Sequence, residues 1–200
     1  MKKYILFLVT LSLIFSCQNP KKLAPIDDSF FKLSLAEWSF NKSFRYEGVS
    51  PYEFARRASE LGFEGLEYVN QLYPDVMESS NKKEALERFI KKNNALAAKY
   101  KMQNVLIMID EEGDLSTSDE TLRLIAIENH KLWINAAHKM GCSSIRLNLH
   151  GEKNKDLWIK NSINSLNELS EYAKPMNINI MVDNHGGNSS NSDLLIKLIN

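Results

Sequence analysis

The chain alternates between short apolar runs and helical patterns, and that alternation limits its fold more than any other feature. Five runs read as strands: Phe31–Phe40, Glu64–Val69, Asn104–Ile109, Ser144–Leu149 and Ile178–Val182. Their starts lie roughly 33 to 40 residues apart, which is the rhythm of βα units in a parallel sheet. Runs such as VLIMI and INIMV are apolar without alternation, as strands covered on both faces must be. The helices between them carry their own punctuation. Ser50-Pro51-Tyr52-Glu53 reads as a capping box with proline at the first helical position, and Gly62 closes that helix. Asn81 and Glu84 open the next, whose Leu86, Phe89, Ile90, Leu96, Ala97 and Tyr100 share one apolar face. A third helix runs from about Asp119 to Met140 and stops at Gly141. A fourth runs from about Lys155 to Ala173, short of Pro175. Ser190 and Asp193 are candidate caps for a fifth.

An open doubly wound sheet and a closed barrel both satisfy this rhythm. The dinucleotide fingerprint G-x-G-x-x-G and the phosphate loop G-x-x-x-x-G-K-[ST] are both absent. This favours an α/β fold of the (β/α)8 TIM-barrel type, with about the first five βα units within residues 30–200. A complete barrel takes about 250 residues, so the chain is expected to be either a fragment of a longer protein that carries strands six to eight or the product of a truncated gene. Barrel chemistry sits at the C-terminal ends of the strands. Here those ends carry Glu37 and Trp38, Glu67 and Asn70, Asp110, Asn148 and His150, then Asp183, Asn184 and His185.

The first segment reads as an address. Residues 1–16, MKKYILFLVTLSLIFS, place two lysines before a short uncharged apolar stretch, in the layout of a secretory signal. Ile14-Phe15-Ser16-Cys17 has the form of a bacterial lipobox, so lipidation is expected at Cys17. Residues 17–29 would then be a polar tether. The protein is expected to be exported and lipid-anchored to the bacterial cell envelope, on its periplasmic or surface side. No apolar run reaches the roughly 18 residues of a spanning helix. Past Cys17 only Cys142 remains, so no internal disulfide forms, and Cys142 reads as a small core residue. Lysine plus arginine and aspartate plus glutamate number 25 each, which removes the electrostatic case for nucleic acid as a partner. Oligomeric state is left open.

Five segments, taken in order, carry a resemblance: LSLAEWSF (33–40), LGFEGLEYVNQLY (61–73), NVLIMIDEEGDL (104–115), ENHKLWINAAHKMGCSSIRLN (128–148) and VDNHGGNSS (182–190). Together they resemble the sugar phosphate isomerase/epimerase family, the xylose isomerase-like barrels. The resemblance implies a sugar or keto-sugar substrate and a divalent metal, Mn, Mg, Co or Zn, held by carboxylates and a histidine from strands five to eight. It implies carboxylate proton transfer through an enediolate. The metal is expected only in a complete barrel, and no turnover is expected from these residues alone. Two other readings stand beside it: a non-catalytic sugar- or glycoside-binding barrel lipoprotein, and a keto-glycoside lyase using the same enediolate.

Carried onto this chain, the first metal carboxylate falls on Asp183, in D-N-H-G-G where the family usually has E-N-H-G-G. Aspartate can ligate the same ions. Its shorter side chain weighs against Asp183 as the proton-transfer base, because about 1 Å matters in a catalytic site. Asn184 and His185 are expected to line the pocket, with Gly186 and Gly187 turning the chain sharply beside it. Glu67 is expected to reach the substrate or to pair with a neighbouring strand, Arg146 being one candidate. Glu37, Trp38 and Asn148 complete the substrate-binding set, Trp38 as an apolar wall for a sugar face; His150 stands where relatives tend to carry a small residue, so it joins the substrate-binding set without a family role, narrowing the pocket or adding a ligand. His130 and His138, eight residues apart on one helix, read as helix-surface or packing residues. The acidic run Asp110-Glu111-Glu112 reads as a solvated loop beyond Asp110.

Overall fold

Five parallel strands pair in the order β1-β2-β3-β4-β5. They are β1 (Ser34–Ala36), β2 (Gly65–Val69), β3 (Gln103–Ile109), β4 (Ser144–Leu147) and β5 (Asn179–Val182). Each is followed by a principal helix: α1 (Phe54–Glu60), α2 (Lys82–Tyr100), α3 (Glu120–Met140), α4 (Lys155–Ala173) and α5 (Ser192–Ile199). Two short helices, Asn41–Tyr46 and Pro74–Met77, lie in the connections. The computed structural model describes residues 31–199. The chain divides into a short N-terminal unit, Met1–Phe31, and a body, Lys32–Asn200. The signal segment, the tether and Cys17 lie outside the described residues.

The strand order decides between the two architectures. A doubly wound sheet reverses direction at a switch point. Here every strand adds on the same side of the last, and right-handed crossovers then place all helices on one face. That is the winding of a barrel wall. The registers Ser34↔Gly65, Met108↔Arg146 and Leu147↔Val182 keep the strand ends level along one rim.

The outward face of the sheet and the helices share the core. Leu66, Tyr68, Ile107, Ile109, Ile145 and Leu147 are buried beneath Phe54, Phe89, Trp133 and Ile134. Phe54, Tyr68, Phe89 and Trp133 form a line of edge-to-face rings with centroids 5.5–6.1 Å apart, the favoured geometry for aromatic quadrupoles. Cys142 is buried in this core.

Local signals set the helix ends. Asn81 accepts from the Glu84 N–H at 3.3 Å, and its amide donates to the Glu84 carboxylate at 3.1 Å. Asp119 accepts from the Leu122 N–H at 3.0 Å, and Gly141 ends α3 at φ 73°, a left-handed conformation glycine takes without steric cost. Asn154 accepts from the N–H groups of Asp156 and Leu157, each at 3.1 Å. Two caps differ from the sequence reading. Ser50 accepts from the Tyr52 N–H at 3.3 Å, but Pro51–Glu53 form a 3-10 turn and α1 begins at Phe54. The cap of α5 is Asn191, which accepts from Asp193 and Leu194, while the Ser190 hydroxyl donates to the Asn184 carbonyl instead.

The first strand is also shorter than its apolar run. Extended structure stops at Ala36, and Glu37–Phe40 form a 3-10 turn. There the Glu37 carboxyl group turns into the wall and accepts the Val69 N–H at 2.8 Å.

Candidate active site

The pleat that buries Leu66 and Ile107 outward turns Ala36, Val69, Met108 and Arg146 inward. These residues floor a cavity of about 910 Å³ at the C-terminal ends of the strands. On the β1–β3 side Val69 and Met108 lie beneath and Trp38, 39 % exposed, stands at the edge, with Gln71, Asp110 and Asp114 adding polar groups. The Arg45 guanidinium lies 5.8 Å from the Trp38 ring centre and steadies it by a cation–π contact. The β4–β5 side is polar, with Arg146, Asn148, His150, Asp183 and His185.

Asp183 stands just past β5, its N–H bonded to the Leu147 carbonyl at 3.0 Å. One of its carboxylate oxygens lies 3.5 Å from the Arg146 guanidinium and 3.3 Å from His185 Nδ1. The His150 and His185 rings face each other edge-on at 6.1 Å. Gly186 and Gly187, at φ 109° and 58°, make the sharp turn that follows.

Asp110, at the end of β3, is the most firmly held group on the cavity wall. The buried Asn70 amide brackets its backbone, accepting its N–H and donating to its carbonyl, both at 2.8 Å. Gln71 donates to one carboxylate oxygen at 2.9 Å, and Asn148 donates to the other.

Of the side chains expected here, Trp38, Asn148, His150, Asp183 and His185 line the cavity. Three do not. Glu37 is fully buried behind the wall, where its carboxylate also accepts the Tyr73 hydroxyl at 2.8 Å. Burial pushes its carboxyl up to about 8, and the bonds from Val69 and Tyr73 pull the other way. Glu67 sits lower on its strand and accepts the Ser34 hydroxyl of β1. Arg146, named as a possible partner for it, pairs with Asp183 instead. Asn184 is exposed and outside the lining. His130 is a packing residue, its Nδ1 2.7 Å from the Ala126 carbonyl, and His138 is exposed on α3. Glu112 is not solvated: it is buried and bound by Lys82 and the Trp133 indole. Sequence reasoning passed over the bracket on Asp110 and the inward Arg146. A charged residue inside the short apolar strand SIRL was the available signal for the second.

Parallel strands wound in sequence order, with a polar cavity at their C-terminal rim, define the TIM-barrel class. Within it, the chain belongs to the Xylose isomerase-like TIM barrel family, which matches residues 55–199. Solved structures share the fold at low identity. A D-psicose 3-epimerase with D-tagatose from Clostridium cellulolyticum H10 superposes with a TM-score of 0.61 at 15% identity, over 84% of this chain and 60% of that one. The IolI protein with a binding zinc atom gives 0.55 at 15% identity, over 76% and 51%. The 3-keto-D-glucoside 4-epimerase of E. coli gives 0.52 at 16% identity, over 66% and 49%. The chain thus spans between 49% and 60% of the length of these structures. No curated protein matches by sequence.

The divalent metal implied by the family meets a poor fit among the described residues. No set of three or more His, Cys, Asp or Glu side chains converges there as a metal site. At Asp183, one carboxylate oxygen already faces the Arg146 guanidinium, whose positive charge would repel a cation bound there. The five described strand ends do not form a metal centre by themselves.

Proposed function

We propose that this chain forms the sugar-binding wall of an isomerase or epimerase acting on a keto-sugar. The observation that supports this is the cavity at the strand ends, which sets the apolar Trp38, Val69 and Met108 among polar groups that follow β2 to β5. A sugar ring offers both chemistries: an apolar C–H face suits Trp38 and Val69, and hydroxyls suit Asp110, Asn148 and Arg146. The reaction class moves a proton on the carbon beside a carbonyl. A carboxylate removes that proton, the electron pair forms an enediolate, and a proton returns to the other face or the neighbouring carbon. Asp183 is one of the carboxylates that line the cavity, with Arg146 and His185 beside it. A Mn, Mg, Co or Zn ion enters this reading only with donors beyond the five described strands. Export and lipid anchoring at Cys17 belong to the same proposal.

The test uses the full-length protein extracted from membranes. Incubated in D2O with a keto-hexose and each of the four ions in turn, it gains deuterium at the carbon beside the carbonyl. No exchange and no product under all four conditions overturns the catalytic reading. A second reading, a sugar-binding barrel without chemistry, is favoured by the Arg146–Asp183 pair. Tight binding without exchange selects it, and an eliminated product selects a lyase. Purified residues 1–200 alone are expected to show no turnover.

A further inference from the structure

Arg146 carries donors that the described residues leave unused. It lies within β4 between Ile145 and Leu147, whose side chains are buried in the core. Its cross-strand neighbours are Met108 on β3 and Met181 on β5, so no charge flanks it along the sheet. Its side chain is 29 % exposed and lines the cavity. A guanidinium has five N–H donors and no acceptor. Among the described residues none of these donors makes a hydrogen bond, and the one ion-pair partner is the Asp183 carboxylate at 3.5 Å. None of its three nitrogens is closed off as a buried atom without a partner, so each keeps open surface. The rest of the wall limits what those donors can take. Asp110, Glu111, Asp114 and Asp183 line the same cavity, four carboxylates to one guanidinium. A permanently anionic ligand, such as a sugar phosphate, meets net repulsion there. A keto-sugar arrives neutral, and its carbonyl oxygen becomes negative only as the proton leaves the neighbouring carbon.

We infer that Arg146 is a catalytic residue, whose guanidinium binds the keto-sugar's carbonyl oxygen and holds it as it becomes the enediolate oxyanion. This role rests on the isomerase reading above. A wall carboxylate takes the proton from the carbon beside the carbonyl. The C–H electron pair becomes the C=C bond, and the carbonyl π pair moves onto the oxygen at Arg146. Return of the proton to the other face of that carbon regenerates the carbonyl, so no co-reactant is consumed. The contact is strongest when the oxygen is charged, so it raises the rate more than the affinity. The ion pair with Asp183 positions the guanidinium for this role.

The experiment measures deuterium exchange into D-tagatose by the full-length protein in D2O, under the ion condition in which the wild type exchanges fastest. Arg146→Met keeps the length of the side chain without its charge. It is expected to lose about 100- to 1,000-fold in kcat, the effect of removing an oxyanion donor, with KM within about threefold of wild type. Arg146→Lys keeps the charge without the planar fork and is expected to fall between the two. It carries the kcat comparison if Arg146→Met does not fold. In Arg146→Ala, guanidinium ion below denaturing concentration is expected to restore exchange saturably, while sodium at equal ionic strength restores none. A loss confined to KM, an unchanged kcat, or no recovery with guanidinium overturns the catalytic role and leaves the isomerase reading standing. Wild type that exchanges no deuterium overturns both.

Discussion

Glu37 has a carboxyl pushed up to about 8 by burial, against 4.5 for the ordinary group. Between those values the folded protein keeps a proton that the unfolded chain gives up. Stability is therefore full below about 4.5 and falls as pH rises toward 8. Urea denaturation of the wild type should show a declining midpoint from about pH 5 to pH 8, with Glu37 adding at most about 1.4 kcal/mol per pH unit. Glu37→Gln keeps the contacts and removes the titration, so the slope should flatten. An unchanged slope would mean that another group carries it. Cys142 follows the same rule, since burial pushes its thiol up to about 12 and leaves it inert as a nucleophile. The sequence marked Glu37 as chemically interesting because it ends an apolar run. Whether that run delivers the carboxylate to the cavity or to the Val69 N–H depends on one turn of backbone, which composition does not report.

At the level of elements, the helices were the most legible part of the chain. Asn81 and Asp119 each cap the helix the sequence opens there, because capping joins residues two or three apart, and Asn154, not singled out in the sequence, caps α4 in the same way. Asn154 satisfies two helix N–H groups at once. Asn154→Ala should therefore cost about 1 kcal/mol of unfolding free energy, read from a urea midpoint at unchanged slope. A loss within a few tenths would show that water replaces the cap. Strand limits were less legible. The apolar run Phe31–Phe40 yields only three strand residues, because strand structure needs a neighbour, and past Ala36 the pairing with β2 stops.

For the whole molecule, winding order carries the argument. Sequential addition of parallel strands is a long-range property, and the even strand spacing suggested it without proving it. No described helix is long and apolar enough to cross a membrane. Attachment, in the proposal above, depends on Cys17 alone. Cys17→Ser should move essentially all of the protein from the membrane to the soluble fraction. Intact-mass measurement of the membrane-extracted wild type should show a diacyl addition that this variant lacks. Persistence of the variant on membranes would sink the anchor.

The βα rhythm, the helix caps and the level at which polar residues meet the rim are written in the sequence by itself. Each is a local property, set by periodicity and by contacts a few residues long. Which rim residues face a ligand was decided only by the tertiary structure. Asp110 and Arg146 turn toward the cavity, while Glu37 is spent within the wall, Glu67 is held by Ser34 below the lining and Asn184 stays outside it. The physical reason is distance along the chain. The bracket on Asp110 joins β2, β3 and β4 across nearly forty residues at each step, with Asn70 and Asn148 as its ends. Such contacts exist only once the strands are paired in register, and no local pattern encodes them.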